Sequence, residues 1–182
     1  MTKPSLAIGC HCGERSDEAI PTQFSCIGGR VRLFCDEMLA RLGRWLRAAG
    51  YDTAIAESGL ADTGIIAQCA AEGRTLLTRD RHLAEVGTAR GVRVLRLSET
   101  TVERQARTLR QSLGIDWQHA SFTRCLVDNA PLDPAPPGAA SQVPPSSRAA
   151  GGPLRMCSCC GRLYWPGGHV RRMLARLASF NT

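Results

Sequence analysis

The chain has 182 residues, of which 43% are hydrophobic, and a formal net charge of +7; that length suits one α/β domain with a small appendage. Lys3 is its only lysine, so the excess charge sits on arginine, whose forked guanidinium favours phosphate-bearing partners. No apolar run reaches the roughly 18 residues of a membrane span, and nine cysteines without a charged-then-apolar leader are expected as metal ligands or buried thiols of a cytoplasmic protein, not as disulfides.

Residues 1–30 lack a sustained period and end at Gly28-Gly29; they are expected to be disordered or a non-native extension. Cys10, His11, Cys12 and Cys26 do not have the two-residue gap of a zinc knuckle. From Val31 the pattern changes. Val31–Cys35 reads as a buried strand that stops at Asp36-Glu37. Leu39, Leu42, Leu46 and Ala49 then recur at helical spacing up to Gly50. On this helix Arg41, Arg44 and Arg47 fall three apart and predict a basic stripe. Asp52–Ala56 is the second strand. Asp62 is an N-cap candidate for a helix carrying Ile65, Ile66, Cys69 and Ala70 and ending at Gly73. Thr75–Thr78 is a third strand, halted by Arg79-Asp80, with a short helix through Ala84 and Val86 behind it. Val92–Leu97 makes a fourth strand, and Thr100 or Thr101 caps a helix reaching about Leu113. Strands alternating with helices at this spacing predict a parallel sheet with helices on both faces, its strand order unreadable. Beyond Asp116–Ser121 a second unit begins. Pro134–Ser141 and Pro144–Pro153 read as loop, and a last helix runs from about Val170 to Ser179.

Asp36 ends the first strand, Asp62 opens a helix and Asp80 follows the third strand. In a parallel sheet these positions share one edge, where α/β proteins bind their ligands. Carboxylates gathered there repel one another unless a cation sits among them, and oxygen-only ligands select Mg²⁺ or Mn²⁺. Such an ion activates water for attack on a phosphodiester. Glu37 either adds a fourth oxygen or points elsewhere. The plainer alternative is that Asp36 and Asp80 only cap helices.

Phe34-Cys35-Asp36-Glu37-Met38-Leu39, Leu46-Arg47-Ala48-Ala49-Gly50-Tyr51-Asp52 and Leu76-Leu77-Thr78-Arg79-Asp80 resemble the PIN-like nucleases. More closely, the chain resembles the Mut-seven C-terminal ribonuclease domain family, over about Val31 to Leu177. The resemblance implies an α/β fold with a PIN-like parallel sheet flanked by helices over residues 31–118, followed by a small zinc ribbon and terminal helix over residues 119–182. It implies metal-dependent RNA cleavage by clustered acids, which map onto Asp36, Asp62 and Asp80. Thr78 and Arg79 match the turn that presents the last acid, and Thr78 would orient a carboxylate or water.

Cys157 and Cys160 form one Cys-x-x-Cys half of a ribbon site. In the other half Cys125 matches the family pattern, and Asp128 stands where the pattern has cysteine. Asp128 completes a three-sulfur, one-oxygen zinc site, or Cys159 or His169 does, or the site has decayed. Arg162, Arg171, Arg172 and Arg176 are placed to hold an RNA backbone. Trp165 or Tyr164 either stacks on a base of single-stranded RNA or packs against the main domain. A protein partner or oligomer stays open. Two rivals to a ribonuclease are a non-catalytic RNA-binding module and a toxin-like protein whose basic face docks an acidic inhibitor.

Overall fold

Side chains that alternate along short strands give this chain a sheet covered on both faces. The computed structural model describes residues 31–149 and 151–182, so the expectations for residues 1–30, with Cys10, His11, Cys12 and Cys26, lie outside the described residues. Strands β1 (Arg32–Cys35), β2 (Asp52–Ile55), β3 (Thr75–Thr78) and β4 (Val94–Arg96) pair in parallel in the order β2-β1-β3-β4. The chain leaves β1 toward β2 and later returns to the other side of β1, which makes the β1–β3 junction a switch point. The loops that leave its carboxyl edge carry Asp36 and Asp80, where an open sheet forms its crevice.

Helices α1 (Ala40–Ala49), α2 (Asp62–Glu72), α3 (Arg81–Ala89) and α4 (Val102–Leu113) cover the sheet. Leu33, Cys35 and Leu77 enter one core with Leu42 and Leu46 of α1 and Leu109 of α4. Their strand neighbours Phe34 and Leu76 enter the other, with Ile65, Ile66 and Cys69 of α2 and Leu83 of α3. This is the period-two alternation of a strand buried on both sides. Helix α1 lies hard against the sheet because residue 43 is glycine: a Cβ there would stand 2.7 Å from Ile55 Cγ1. Gly50 ends α1 with φ 101°, its N–H donating to the carbonyls of Leu46 and Arg47, a backbone turn that side chains resist.

Two local expectations change. Asp62 is the first residue of α2 and not its cap; Ala61 holds the cap position without a side-chain bond. The stretch Pro144–Pro153, expected as loop, contains a short helix α5 (Pro145–Ala149), which begins on a proline because the first turn of a helix has no use for its missing N–H. Of the two candidate threonines, Thr101 caps α4 by accepting from Arg104 N–H.

The C-terminal part forms a small antiparallel sheet, β5 (Leu132–Pro134), β6 (Arg155–Cys157) and β7 (Leu163–Tyr164), and then helix α6 (Gly168–Ser179). It shares the core of the main sheet. Phe122, Cys125, Leu132, Cys157, Tyr164, Leu177 and Phe180 pack in the same cluster as Leu33, Leu42 and Leu46. Phe180 sits edge-on between Trp45 of α1 and buried Trp117, with ring centroids 5.5 and 5.1 Å away. At the amino edge of the main sheet, Asp52 receives Arg74 at 2.8 Å and Arg32 at 3.3 Å. Asn129 of the C-terminal part donates to the same carboxylate at 2.7 Å and accepts from Thr53 N–H.

Candidate active site and metal cluster

Asp36, Glu37, Met38, Asp62, Asp80 and Leu83 line one open cleft of about 520 Å³ at the carboxyl edge of the sheet. Asp36 precedes the turn Glu37–Leu39 but makes no side-chain cap bond, so capping is not its occupation. Thr78, fully buried at the end of β3, donates its hydroxyl to Asp36 Oδ2 at 2.8 Å. The Thr78 hydroxyl oxygen in turn accepts from Asp80 N–H at 2.9 Å. One hydroxyl therefore fixes both the first acid and the backbone that presents the last.

Asp80 does cap α3, through Oδ1 and Leu83 N–H at 2.9 Å; its second carboxylate oxygen makes no hydrogen bond among the described residues. Glu37 accepts from Ser58 Oγ at 2.7 Å and from Gly59 N–H at 3.4 Å, and so ties down the loop that leads into α2 and Asp62. Among the described residues none of Asp36, Asp62 and Asp80 takes part in an ion pair, whereas Asp52 and Glu72 at the opposite edge are matched by Arg32 and Arg74. Unmatched carboxylates in a shared cleft, some held by neutral donors, form a donor set suited to a hard cation. The amino ends of α2 and α3 at this edge offset part of the repulsion.

The arginines divide. Arg41, Arg44 and Arg172 line one groove with Trp45. Arg171 donates to the Pro166 carbonyl at 3.2 Å. Arg79 carries a buried Nε without a hydrogen-bond partner among the described residues. Arg47 departs from the expected basic stripe: only 7% exposed, it donates to the carbonyls of Thr53 at 2.8 Å, Leu126 at 3.1 Å and Val127 at 2.5 Å. Steps of three residues turn a helix backward by about 60° each, so by Arg47 the stripe has rotated into the face that packs on the sheet.

Leu126 and Val127 lie inside the second site. The ligand atoms of Cys125, Asp128, Cys157 and Cys160 all lie within 4.8 Å of one another. Cys125 Sγ stands 3.8 Å from Cys160 Sγ, and Asp128 Oδ2 is 3.5 Å from Cys125 Sγ and 3.4 Å from Cys157 Sγ. Tetrahedral zinc with its usual bond lengths has sulfur–sulfur edges of about 3.8 Å and sulfur–oxygen edges of about 3.5 Å. The cluster has the dimensions of a three-sulfur, one-oxygen site and could hold a metal such as zinc. Exposed Cys159 and His169, which lines the Arg41 groove, stand outside it.

Tyr164 serves this cluster and is no stacking platform. It is buried, donates to Cys125 Sγ at 3.3 Å and accepts from Leu126 N–H at 2.9 Å. Burial would raise the Cys125 thiol, yet the bonds from Tyr164 and from the N–H groups of Asp128 and Val127 hold it below the usual range. Burial pushes Cys157 up to about 12, and hydrogen bonding to Asp128 raises Cys160. Cys125 is thus the readiest thiolate, and its neighbours release their protons to an incoming cation.

The sequence reading missed the partners that support these sites. No spacing rule joins Arg47 to residues 126 and 127, or Asn129 to Asp52; only the folded chain brings them together. No helix among the described residues is long and apolar enough to cross a membrane. A family model described as the Mut7-C RNAse domain matches residues 31–177. Comparison with curated proteins and with solved structures gives no match.

Proposed function

The chain belongs to the Mut7-C RNAse domain family, and from that premise we propose that it is a PIN-like, metal-dependent ribonuclease acting at the Asp36–Asp62–Asp80 cleft. The observation that carries the reading is the grouping of these unpaired acids in one cleft at the switch point of a parallel sheet. In this reading Asp36, Asp62 and Asp80 hold Mg²⁺ or Mn²⁺, which when bound supplies Lewis-acid polarisation of the phosphate and a more acidic attacking water.

The protein's own residues set the stage for that chemistry. Thr78 fixes the Asp36 carboxylate, so its geometry is ready before substrate arrives. Asp80, which lines the cleft, spends one oxygen on Leu83 N–H and leaves the other for a cation. Glu37, occupied by Ser58 and Gly59, positions the loop before Asp62. Arg79, one residue before Asp80, has a buried N–H without a partner among the described residues and is a guanidinium available to a scissile phosphate. Zinc held by Cys125, Asp128, Cys157 and Cys160 is structural: the ligand set is closed and leaves no open position for substrate.

The test is cleavage of labelled single-stranded RNA by the full chain with Mn²⁺, compared with Asp36→Ala. The expected result is metal-dependent cleavage that falls at least about a thousandfold in the variant while RNA binding survives. Equal cleavage by both proteins, or binding without cleavage at any divalent metal, overturns the reading and leaves an RNA-binding module.

A further inference from the structure

Helices α1 and α6 and the metal cluster meet in a groove of about 350 Å³ lined by Arg41, Arg44, Trp45, Leu126, His169 and Arg172. A second cavity of about 360 Å³ adjoins it, bounded by Tyr164, Trp165, Arg162 and the start of α6. Leu126 and His169 belong to both walls, so the two form one trough across the seam between the sheet and the C-terminal part.

The two halves differ in chemistry. The first is basic: Arg41, Arg44 and Arg172 are exposed, and none has a carboxylate partner among the described residues. Elsewhere in the fold arginines are matched, Arg74 by Asp52 and Glu72 and Arg176 by Glu103. The second half is more enclosed and carries aromatic side chains, the half-buried Trp165 ring and the His169 imidazole among them. Cations beside a recess with aromatic walls fit a phosphate chain whose bases are splayed out. A duplex keeps its bases stacked inside and has nothing to place in the recess. An acidic peptide would match the charge and leave the aromatic half unused.

The start of α1 links the trough to the cleft along the chain. Arg41 lies in the first turn of α1, directly after the turn Glu37–Leu39, whose exposed Met38 lines the acid cleft.

We propose that this trough is the path of a single RNA strand, with phosphates on Arg41, Arg44 and Arg172 and a base in the recess beside Trp165 and His169, which delivers the strand to the acids. The proposal rests on the ribonuclease reading for what happens at the cleft, but binding is separable from cleavage. The experiment uses the full chain carrying Asp36→Asn, so that RNA stays intact, and follows the anisotropy of a labelled oligouridine across a range of salt. Relative to that parent, adding Arg44→Ala and Arg172→Ala is expected to weaken binding at least tenfold. Loss of two phosphate contacts should also flatten the plot of log affinity against log salt by about 1.4, at roughly 0.7 per contact on a single strand. Adding Arg90→Ala and Arg93→Ala instead, the same charge change at the other edge of the sheet, should move the slope by less than half as much.

An abasic oligomer of equal length, or a duplex, is expected to bind at least tenfold more weakly than oligouridine. An unchanged slope and affinity in the Arg44/Arg172 variant overturns the proposal, as does equal binding of the abasic strand or the duplex. If that variant binds normally while cleavage by the wild-type chain still depends on Asp36, the trough falls and the ribonuclease stands. If binding fails in the variant while no metal supports cleavage in the wild type, the trough stands and the ribonuclease falls.

Discussion

Thr78 is the residue on which the geometry of the cleft turns. It is buried, short and β-branched, held in a strand, and its hydroxyl both gives to Asp36 and takes from Asp80 N–H. Thr78→Val keeps the shape, removes both bonds and leaves the Asp80 N–H unmatched. Cleavage by this variant should fall by about a hundredfold, the scale of a small misplacement of reacting groups. Its urea midpoint should drop only by the equivalent of about 1–2 kcal/mol. A loss of activity no larger than the loss of folded fraction would show that Thr78 serves only the fold. Asp52, at the opposite edge, governs acid stability. Partial burial would raise it, but hydrogen bonds from Arg74 and Asn129 and the charges of Arg74 and Arg124 hold it at about 2, below the ordinary 3.8. A depressed carboxyl stabilises the fold at pH values above its unfolded pKa. That contribution is lost as pH falls from 3.8 through about 2. Urea titrations across this window should show the midpoint falling with pH, and Asp52→Asn should flatten the fall.

Helix α1 carries three duties at once. Its leucines close the core, Gly43 admits the sheet, and its arginines divide between solvent and interior. Gly43→Ala places a methyl 2.7 Å from Ile55 and should cost about 1–3 kcal/mol as the side chain gives way, read as a lower thermal midpoint without loss of metal. Arg47→Met strands the carbonyls of Thr53, Leu126 and Val127. It should cost about 3 kcal/mol and, because two of these carbonyls belong to the ligand loop, weaken metal binding about ten- to hundredfold in a chelator competition. Metal affinity equal to wild type would separate the arginine from the cluster. The helix also shows what sequence spacing conveys. Its apolar face, its end at Gly50 and the acids before it were legible because each is a local pattern. The fate of Arg47 was not, because i, i+3 spacing drifts around the helix and two of its three acceptors come from residues about eighty positions away. Strand order was hidden for a similar reason: parallel strands joined by helices leave no local mark of which neighbour they will pair with.

At the scale of the whole molecule, the seam between the main sheet and the C-terminal part is a continuous core. Cys125 and Cys157 are themselves members of the buried cluster that holds Leu33 and Leu46. Removing metal should therefore do more than release a floppy ribbon. In a thermal melt the chelated chain should unfold at a lower temperature and in one transition, since the metal's binding energy is folding energy for the shared core. Two separated transitions would mean that the parts fold independently. The paired cysteines were visible in the sequence as motif, and Asp128 as a departure from it. That Asp128 stands at ligand distance from two sulfurs, and that Tyr164 and not a base occupies the space beside Cys125, required the folded backbone.

Phe180 closes a ring stack with Trp45 and Trp117, and the residues it joins stand far apart along the chain. Synthesis runs from one end, so the acids at 36, 62 and 80 leave the ribosome well before the helix that seals the core beneath α1. A nascent chain thus owns every carboxylate of the cleft, and the Thr78 hydroxyl that fixes Asp36, before the core beneath α1 is sealed. The long reach of one ring thereby ties closure of the core beneath α1 to a residue made long after Trp45 and Trp117.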